Sequence, residues 1–344
     1  MPRPAARALT LGVLLACLTG LTGCVSHVLA KKFVEAPNLQ KQPRMVWDKK
    51  FRDMIDRTYS SEFTVPVGPP GAVLAVATLD PADYQLKSEM VLSGTGDHGL
   101  ASYSLNWNFA DPKVPKVKPR GTIVLLHGIL VSKEFMVHWA LFLAEKGYRV
   151  VLVDLRGHGL STGEWVTFGA VEKRDLSQVL DDLERRGLAH GPVGVLGVSY
   201  GASVGLEWAA HDARVGAVVA LEPFSDARGA IKEFARGFAP DQVKGVTDAQ
   251  FAAADAAAAR MAGFRWEDAD VMGSVRSLKI PVFYLHGARD NWLSVENSRR
   301  LFAASPKGSR LEILPFDNHL ILSTRLNPIA PEVQDWFDSH LQAP

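Results

Sequence analysis

Ser199 stands in the pattern Gly197-x-Ser199-x-Gly201, within the stretch GVLGVSYGASVG. A serine hydroxyl is a weak nucleophile until a neighbouring base takes its proton. A sharp strand-to-helix turn can expose it, and glycines at ±2 keep Cβ atoms out of the elements that crowd such a turn. In a chain with 29 glycines the pattern also arises by accident, so its weight comes from its surroundings. Here the apolar run VGVLG leads into the serine and the helix-forming run ASVGLEWAA leads out. The chemistry this permits is attack on a carbonyl carbon. That chemistry needs a base, an acid that orients the base, and two N–H donors for the oxyanion.

The partners are sought in the chain order serine, acid, histidine, each on a loop after a strand. The run IPVFYLHGARD delivers Asp290 just past one apolar strand, and RLEILPFDNH delivers His319 just past the last. Asp226, after LEPFS, is the rival acid, and Asp317 is too near His319 in sequence to orient it easily. Among the ten histidines, His127, His158 and His286 occur in His-Gly or Gly-His-Gly turns, where packing and backbone hydrogen bonds are the expected role. His190, His211 and His340 lie at polar helix ends. The oxyanion donors are expected to be the amide of Tyr200, next to the nucleophile, and the amide of Ile129, on the loop after TIVLLHG.

These residues need a scaffold. The runs TIVLLHG, YRVVLVDLRGHG, PVGVLGVSYG, VGAVVALEPF, IPVFYLHGARD and RLEILPFDNH are continuous and apolar, and helical stretches separate them. Val/Ile/Leu strands without alternation indicate a parallel sheet covered on both faces, hence an α/β fold. Before them, AVLAVATL, YQLKSEMVLSG and the alternating YSLNWNF read as strands, the last as a half-buried antiparallel strand suited to a sheet edge. Residues 225–276 are too long for a plain crossover and contain DAQFAAADAAAARMAG, a strong helix former. We expect a helical cap over the C-terminal edge of the sheet, where ligands bind in such folds. Its Phe234, Phe238, Phe251, Phe264 and Trp266 suggest an apolar acyl pocket, although helical aromatic residues commonly belong to the core.

Composition excludes several classes. A net charge of +1 gives no electrostatic case for nucleic acid. No His/Cys/Asp cluster has metal-ligand spacing, and nothing implies a cofactor. The first 23 residues pair Arg3 and Arg7 with an apolar run from Leu9 to Leu21, too short to span a bilayer comfortably. Leu21-Thr22-Gly23-Cys24 resembles the lipobox of bacterial lipoprotein signal peptides, which implies cleavage before Cys24 and lipid on its sulfur. The other cysteine, Cys17, lies in the discarded peptide, so no disulfide is expected. Residues 24–71 read as a tether and irregular lead-in, and residues 72–344 as the catalytic domain. The expected location is the bacterial cell envelope, held to a membrane on its periplasmic or extracellular face.

LLHGIL, VDLRGHGLS, GVSYGAS, HGARD and DNH, in that order, resemble the α/β-hydrolase superfamily, in its branch of monoacylglycerol-lipase-like and serine-aminopeptidase-like proteins. The resemblance covers about residues 80–340. It implies an eight-stranded, mostly parallel sheet and acyl-enzyme chemistry without a cofactor. It also implies a structural role for DLRGHG, which leaves Asp154, Arg156 and His158 outside the chemistry. One departure is that HGIL lacks the proline or glycine often found after the His-Gly pair. The expected activity is hydrolysis of a small-molecule carboxylic ester by Ser199, His319 and Asp290. Amide, peptide or thioester hydrolysis by the same triad is the alternative, and a non-catalytic envelope binding protein is the alternative of another class. Dehalogenase and epoxide-hydrolase chemistry is disfavoured, because those relatives carry Asp where this chain has Ser199.

Overall fold

The computed structural model describes residues 25–40, 49–93, 100–107, 118–189 and 192–341. The expected signal peptide, Cys24 and His190 lie outside the described residues. Among those described, no helix is long and apolar enough to cross a membrane.

Helices α1 (residues 25–34) and α2 (Lys49–Asp56) precede strands β1 (Ser61–Val67), β2 (Ala72–Leu79), β3 (Lys87–Ser93), β4 (Leu100–Asn106) and β5 (Thr122–Leu126). Then follow α3 (Val137–Glu145), β6 (Arg149–Val153), α4 (Glu172–Arg185), β7 (Val193–Val198), α5 (Tyr200–His211) and β8 (Val215–Leu221). The cap region holds α6 (Ala227–Phe238), α7 (Asp248–Ala262) and α8 (Val271–Ser277). The chain closes with β9 (Val282–Gly287), α9 (Glu296–Ala304), β10 (Arg310–Leu314), α10 (His319–Thr324) and α11 (Ala330–His340).

Eight strands form one sheet in the order β1-β2-β6-β5-β7-β8-β9-β10. The β1-β2 and β2-β6 pairings are antiparallel and the rest parallel, as the continuous apolar runs predict. Alternate residues of each strand enter opposite layers. Val124 and Leu126 of β5 join one core with Leu176 and Leu180 of α4 and Val204 of α5. Ile123 and Leu125 join the other with Trp139 of α3 and Phe337 of α11. Burial on both faces explains why these strands show no polar alternation.

Four expectations change. Residues 61–67, read as lead-in, are the edge strand β1, paired with β2 along its whole length. Phe63, Val65 and Val67 alternate with Glu62, Thr64 and Pro66, which is the pattern of a half-buried strand, and the proline is tolerated because the strand is an edge. Residues 25–34 are no tether: they form α1, whose Phe33 stacks on Phe251 of α7 at 6.0 Å between ring centroids. The strand read in YSLNWNF is antiparallel but leaves the main sheet, pairing with β3 in a separate two-stranded ribbon. The cap is shorter than residues 225–276, because α8 packs on α5 and α9 as part of the layer flanking the sheet. Asp226 accepts from the Gly229 amide to start α6, and Thr247 with Gln250 forms a capping box that starts α7.

Candidate active site

Ser199 joins β7 to α5 with φ +53° and ψ −114°, a conformation that few L-residues adopt. Its neighbours explain how the turn survives. A Cβ on Gly197 would come within 2.4 Å of the Gly201 carbonyl oxygen, and one on Gly201 within 2.4 Å of the Leu126 carbonyl oxygen. Both positions therefore require glycine. The turn is pinned to the sheet by the Ser199 N–H, which donates to Leu221 O at 2.7 Å. Tyr200 is the first residue of α5, so its N–H has no intrahelical acceptor and sits at the positive end of the helix dipole.

Beside it runs the loop after β5. His127 is fully buried, and burial lowers its pKa to about 4, so the ring is neutral. Its Nε2 accepts from the Leu155 N–H at 3.0 Å, which leaves the proton on Nδ1 to be donated to Gly128 O at 2.7 Å. In a trans peptide the carbonyl and the next N–H point in opposite directions. The histidine that holds the Gly128 carbonyl therefore also aims the Ile129 N–H away from itself. Leu130, with φ +67°, completes the turn.

Asp290 lies on the loop after β9 with its side chain fully buried. Its Oδ1 accepts from the amides of Trp292 and Leu293 at 2.8 and 2.9 Å. Its Oδ2 accepts from His319 Nδ1 at 2.6 Å and lies 3.3 Å from His286 Nε2. Burial alone would raise the Asp290 pKa, but hydrogen bonds from His286 and His319 outweigh it and hold the carboxyl well below the usual carboxylate range. His319 opens α10, whose N-cap Asn318 accepts from the Ile321 amide, and its ring lies 5.0 Å from that of Trp292.

The other sequence candidates are placed elsewhere. Asp226 is exposed and occupied in capping α6. Asp317 is bound by Arg325. His158 hydrogen-bonds the Arg156 carbonyl at 2.8 Å, and burial lowers its pKa to about 3. His286 does more than its His-Gly turn suggests: it receives Ser298 Oγ on Nδ1 at 2.7 Å and presents Nε2 to Leu293 O and Asp290. Its signal in the sequence is the four-residue spacing His286-x-x-x-Asp290. Glu222, directly after β8, is a residue that the sequence reading missed. Its Oε2 lies 3.5 Å from His319 Nδ1. The ligating atoms of Glu222, Asp290 and His319 all fall within 4.8 Å of one another. The 2.6 Å contact between two of them is a hydrogen bond, since two ligands of one zinc ion stand roughly 3.3 Å apart.

Two cavities meet at Ser199. One, of about 160 Å³, runs beneath the cap between Leu29 and Phe33 of α1, Phe168, Phe224 and Ile231 of α6. The other, of about 250 Å³, is lined by Val131, Phe135, Trp292, Leu320 and His319. Ile129, Leu130, Phe234 and Phe238 border both. Phe234 and Phe238 stack at 4.9 Å, and each meets Trp292 edge-on, so an aromatic wall divides the two lobes. Of the five cap aromatics, Phe234 and Phe238 line the cavities. Phe251 packs on α1, and Phe264 and Trp266 pack with Phe168.

Residues 123–342, more than half of the chain, match the family described as "Alpha/beta hydrolase family". The chain belongs to that family. This alpha/beta hydrolase is also 24% identical over 223 residues to the uncharacterized protein YqkD of Bacillus subtilis (strain 168), covering 63% of this chain and 71% of that one. Among solved structures, the esterase PF2001 of Pyrococcus furiosus superposes with a TM-score of 0.55 at 18% identity, over 87% of this chain and 97% of that one. The acylaminoacyl peptidase of Pyrococcus horikoshii superposes with a TM-score of 0.54 at 12% identity, over 89% of this chain but 46% of the peptidase. At these identities the likeness of the two structures is one of fold.

Proposed function

We propose that this alpha/beta hydrolase cleaves carboxylic esters with an apolar acyl chain, through Ser199, His319 and Asp290. The reading rests on one observation: the 2.6 Å hydrogen bond from His319 to buried Asp290 opens onto the cavity that holds the strained Ser199. Asp290 keeps the His319 proton on Nδ1, which frees Nε2 to take the hydroxyl proton of Ser199. Oγ then bonds to the carbonyl carbon. The negative oxygen accepts from the amides of Tyr200 and Ile129, the second aimed by His127. The His319 proton passes to the departing alkoxide as the C–O bond breaks. A water deprotonated by the same histidine attacks the acyl-enzyme, and the carboxylic acid leaves with Ser199 restored.

An ester is favoured because the residues shared by the two lobes beside Ser199, namely Ile129, Leu130, Phe234 and Phe238, are apolar and suit an acyl chain, while Lys32, Glu35, Gln40 and Gln242 also line the first lobe. Rates on aryl esters of increasing chain length, set against aminoacyl arylamides, test this. We expect esters to be preferred, and faster turnover of the arylamides overturns the reading. Phe33 of α1 supplies part of the wall, so Phe33→Trp should shift the preferred ester to shorter chains. The long-to-short ratio of kcat/KM is expected to fall about tenfold, the scale of one or two methylenes in an apolar pocket.

The proposal extends to location. With lipid on Cys24 the enzyme is held to an envelope membrane, and α1, which begins at residue 25, places a wall of the cavity directly at the anchor. Cells fed an alkyne fatty acid should label the wild-type protein and not Cys24→Ala. Equal labelling of the two removes the anchor.

A further inference from the structure

Glu222 has no part in the three-residue account. It follows β8 in a left-handed conformation, φ +53°, and its N–H donates to Leu285 O at 2.8 Å, which fixes the loop against β9. The side chain is fully buried, and the strand order β8-β9-β10 sets the loops that carry Glu222, Asp290 and His319 side by side. Oε2 lies within hydrogen-bond distance of Ser323 Oγ, at 3.0 Å, and 3.5 Å from His319 Nδ1. Ser323 donates to His319 O at 2.7 Å, so one hydroxyl ties the carboxyl to the histidine's own backbone. The Gly287 amide favours the ionised carboxyl, and Oε1 makes no hydrogen bond of ordinary geometry among the described residues. A buried polar atom without a partner is costly, and a carboxyl was not needed here to fill space.

Two buried carboxyls beside one imidazole cannot both be ionised at low cost. Asp290 is the better anion, with two backbone amides on Oδ1 and two histidines at Oδ2. Glu222 faces Asp290, Asp317 and His319. Burial raises its pKa well above the usual range, and the Asp290 charge adds to the effect. Asp317 is itself neutralised by Arg325. These contacts favour a single negative charge on the pair beside Nδ1, held by Asp290 in preference to Glu222.

Building on the catalytic roles proposed above, we propose that Glu222 is a positioning residue for the same reaction, a second carboxyl that orients His319 and assumes the charge when Asp290 cannot. When Asp290 is made neutral, its repulsion of a Glu222 carboxylate disappears while burial still opposes ionisation, so Glu222 becomes easier to ionise than in wild type. Once ionised, its Oε2 becomes the acceptor for Nδ1–H. Removal of the orienting acid from a serine triad ordinarily lowers turnover by about 10⁴. The Glu222 carboxyl should hold the loss in Asp290→Asn to about 10², and Asp290→Asn with Glu222→Gln should show the full ~10⁴. Glu222→Gln alone should change kcat less than about tenfold, because Asp290 still carries the charge.

The pH profile supplies a readout that altered packing would not move. In Asp290→Asn, kcat should require an ionised Glu222, a carboxyl harder to ionise than Asp290, so the acid limb should lie at higher pH than in wild type. In the double variant the Glu222 ionisation should be absent from the profile, leaving only the requirement for a neutral His319 that all the variants share. Equal kcat for Asp290→Asn and the double variant across the pH range overturns the proposal, as does an unmoved acid limb in Asp290→Asn. The latter variant leaves Glu222 intact, so the test stands even where Glu222→Gln fails to fold. Active-site titration with a fluorophosphonate on wild type separates the two ideas: labelling of Ser199 with no coupling between Glu222 and Asp290 removes this proposal alone.

Discussion

Replacing Ser199 by alanine should leave a folded protein whose ester turnover is lower by about 10⁶, the scale on which a serine triad loses its nucleophile. The loss should appear in kcat, because the apolar lobes that hold the substrate keep all their other walls. Folding should be unaffected: alanine bears the same left-handed backbone as the serine, and the constraints on the turn come from Gly197, Gly201 and the Ser199 N–H bond to Leu221. Circular dichroism and thermal unfolding check the second half of the expectation, initial rates on an aryl ester the first. Ser199→Gly refines the point. Glycine accepts φ +53° without penalty, and strain at such a position is about 1–3 kcal/mol, partly offset by the greater entropy of an unfolded glycine, about 0.5–1 kcal/mol. That variant should therefore be inactive yet at least as stable as wild type. Labelling of Ser199→Ala by a fluorophosphonate as strongly as wild type would place the nucleophile elsewhere.

Asp175→Ala should act on the opposite quantity, removing stability while sparing the reacting groups. Arg156, in the DLRGHG loop after β6, is buried and donates through Nε and Nη2 to the two oxygens of Asp175, both at 2.8 Å. Nη2 also donates to Pro70 O at 2.8 Å, so one guanidinium joins this loop, α4 and the β1-β2 turn. Truncating Asp175 leaves a buried guanidinium without its counter-ion, and the cost of that is about 3–5 kcal/mol. A protein with total stability of about 5–15 kcal/mol loses a large fraction of it. Urea unfolding should show a lower midpoint at unchanged slope, and kcat of the protein that remains folded should stay within a few-fold of wild type. Replacing both partners by apolar residues of similar volume should recover much of the loss, because no charge is then stranded. A destabilisation of less than 1 kcal/mol would mean that water reaches Arg156.

The parts legible in the sequence are those specified by local pattern. Six continuous apolar runs announced the six parallel-sheet strands β5 to β10, because burial on both faces leaves no polar position in such strands. Gly197, Ser199 and Gly201 announced the strand-to-helix turn, because contacts of 2.4 Å exclude any side chain at either glycine. Asp290 and His319 could be named from their place after successive strands, since a parallel sheet gathers all such loops at one edge. The β1 strand was missed because its alternation is short, contains a proline and ends in VGPPG, a run that masks the strand before it.

Tertiary structure decided what depends on distant segments meeting. That α1 walls the cavity at Ser199 follows from its packing on α7, across more than 200 residues of chain, and no local signal in residues 25–34 encodes it. That His286 supports Asp290, and that His127 aims the Ile129 amide, follows from hydrogen bonds made in the fold by residues whose sequence context reads as ordinary turns. Glu222 is the clearest case. In sequence it is a glutamate ending an apolar strand, while in the fold the crossing from β8 to β9 brings its carboxyl to 3.5 Å from His319, a residue 97 positions away. Local pattern could name Ser199, His319 and Asp290, because each sits at the end of its own strand. The surroundings that set their protonation and shape the cavity are sums over segments far apart in the chain, and the packed structure alone brings those segments together.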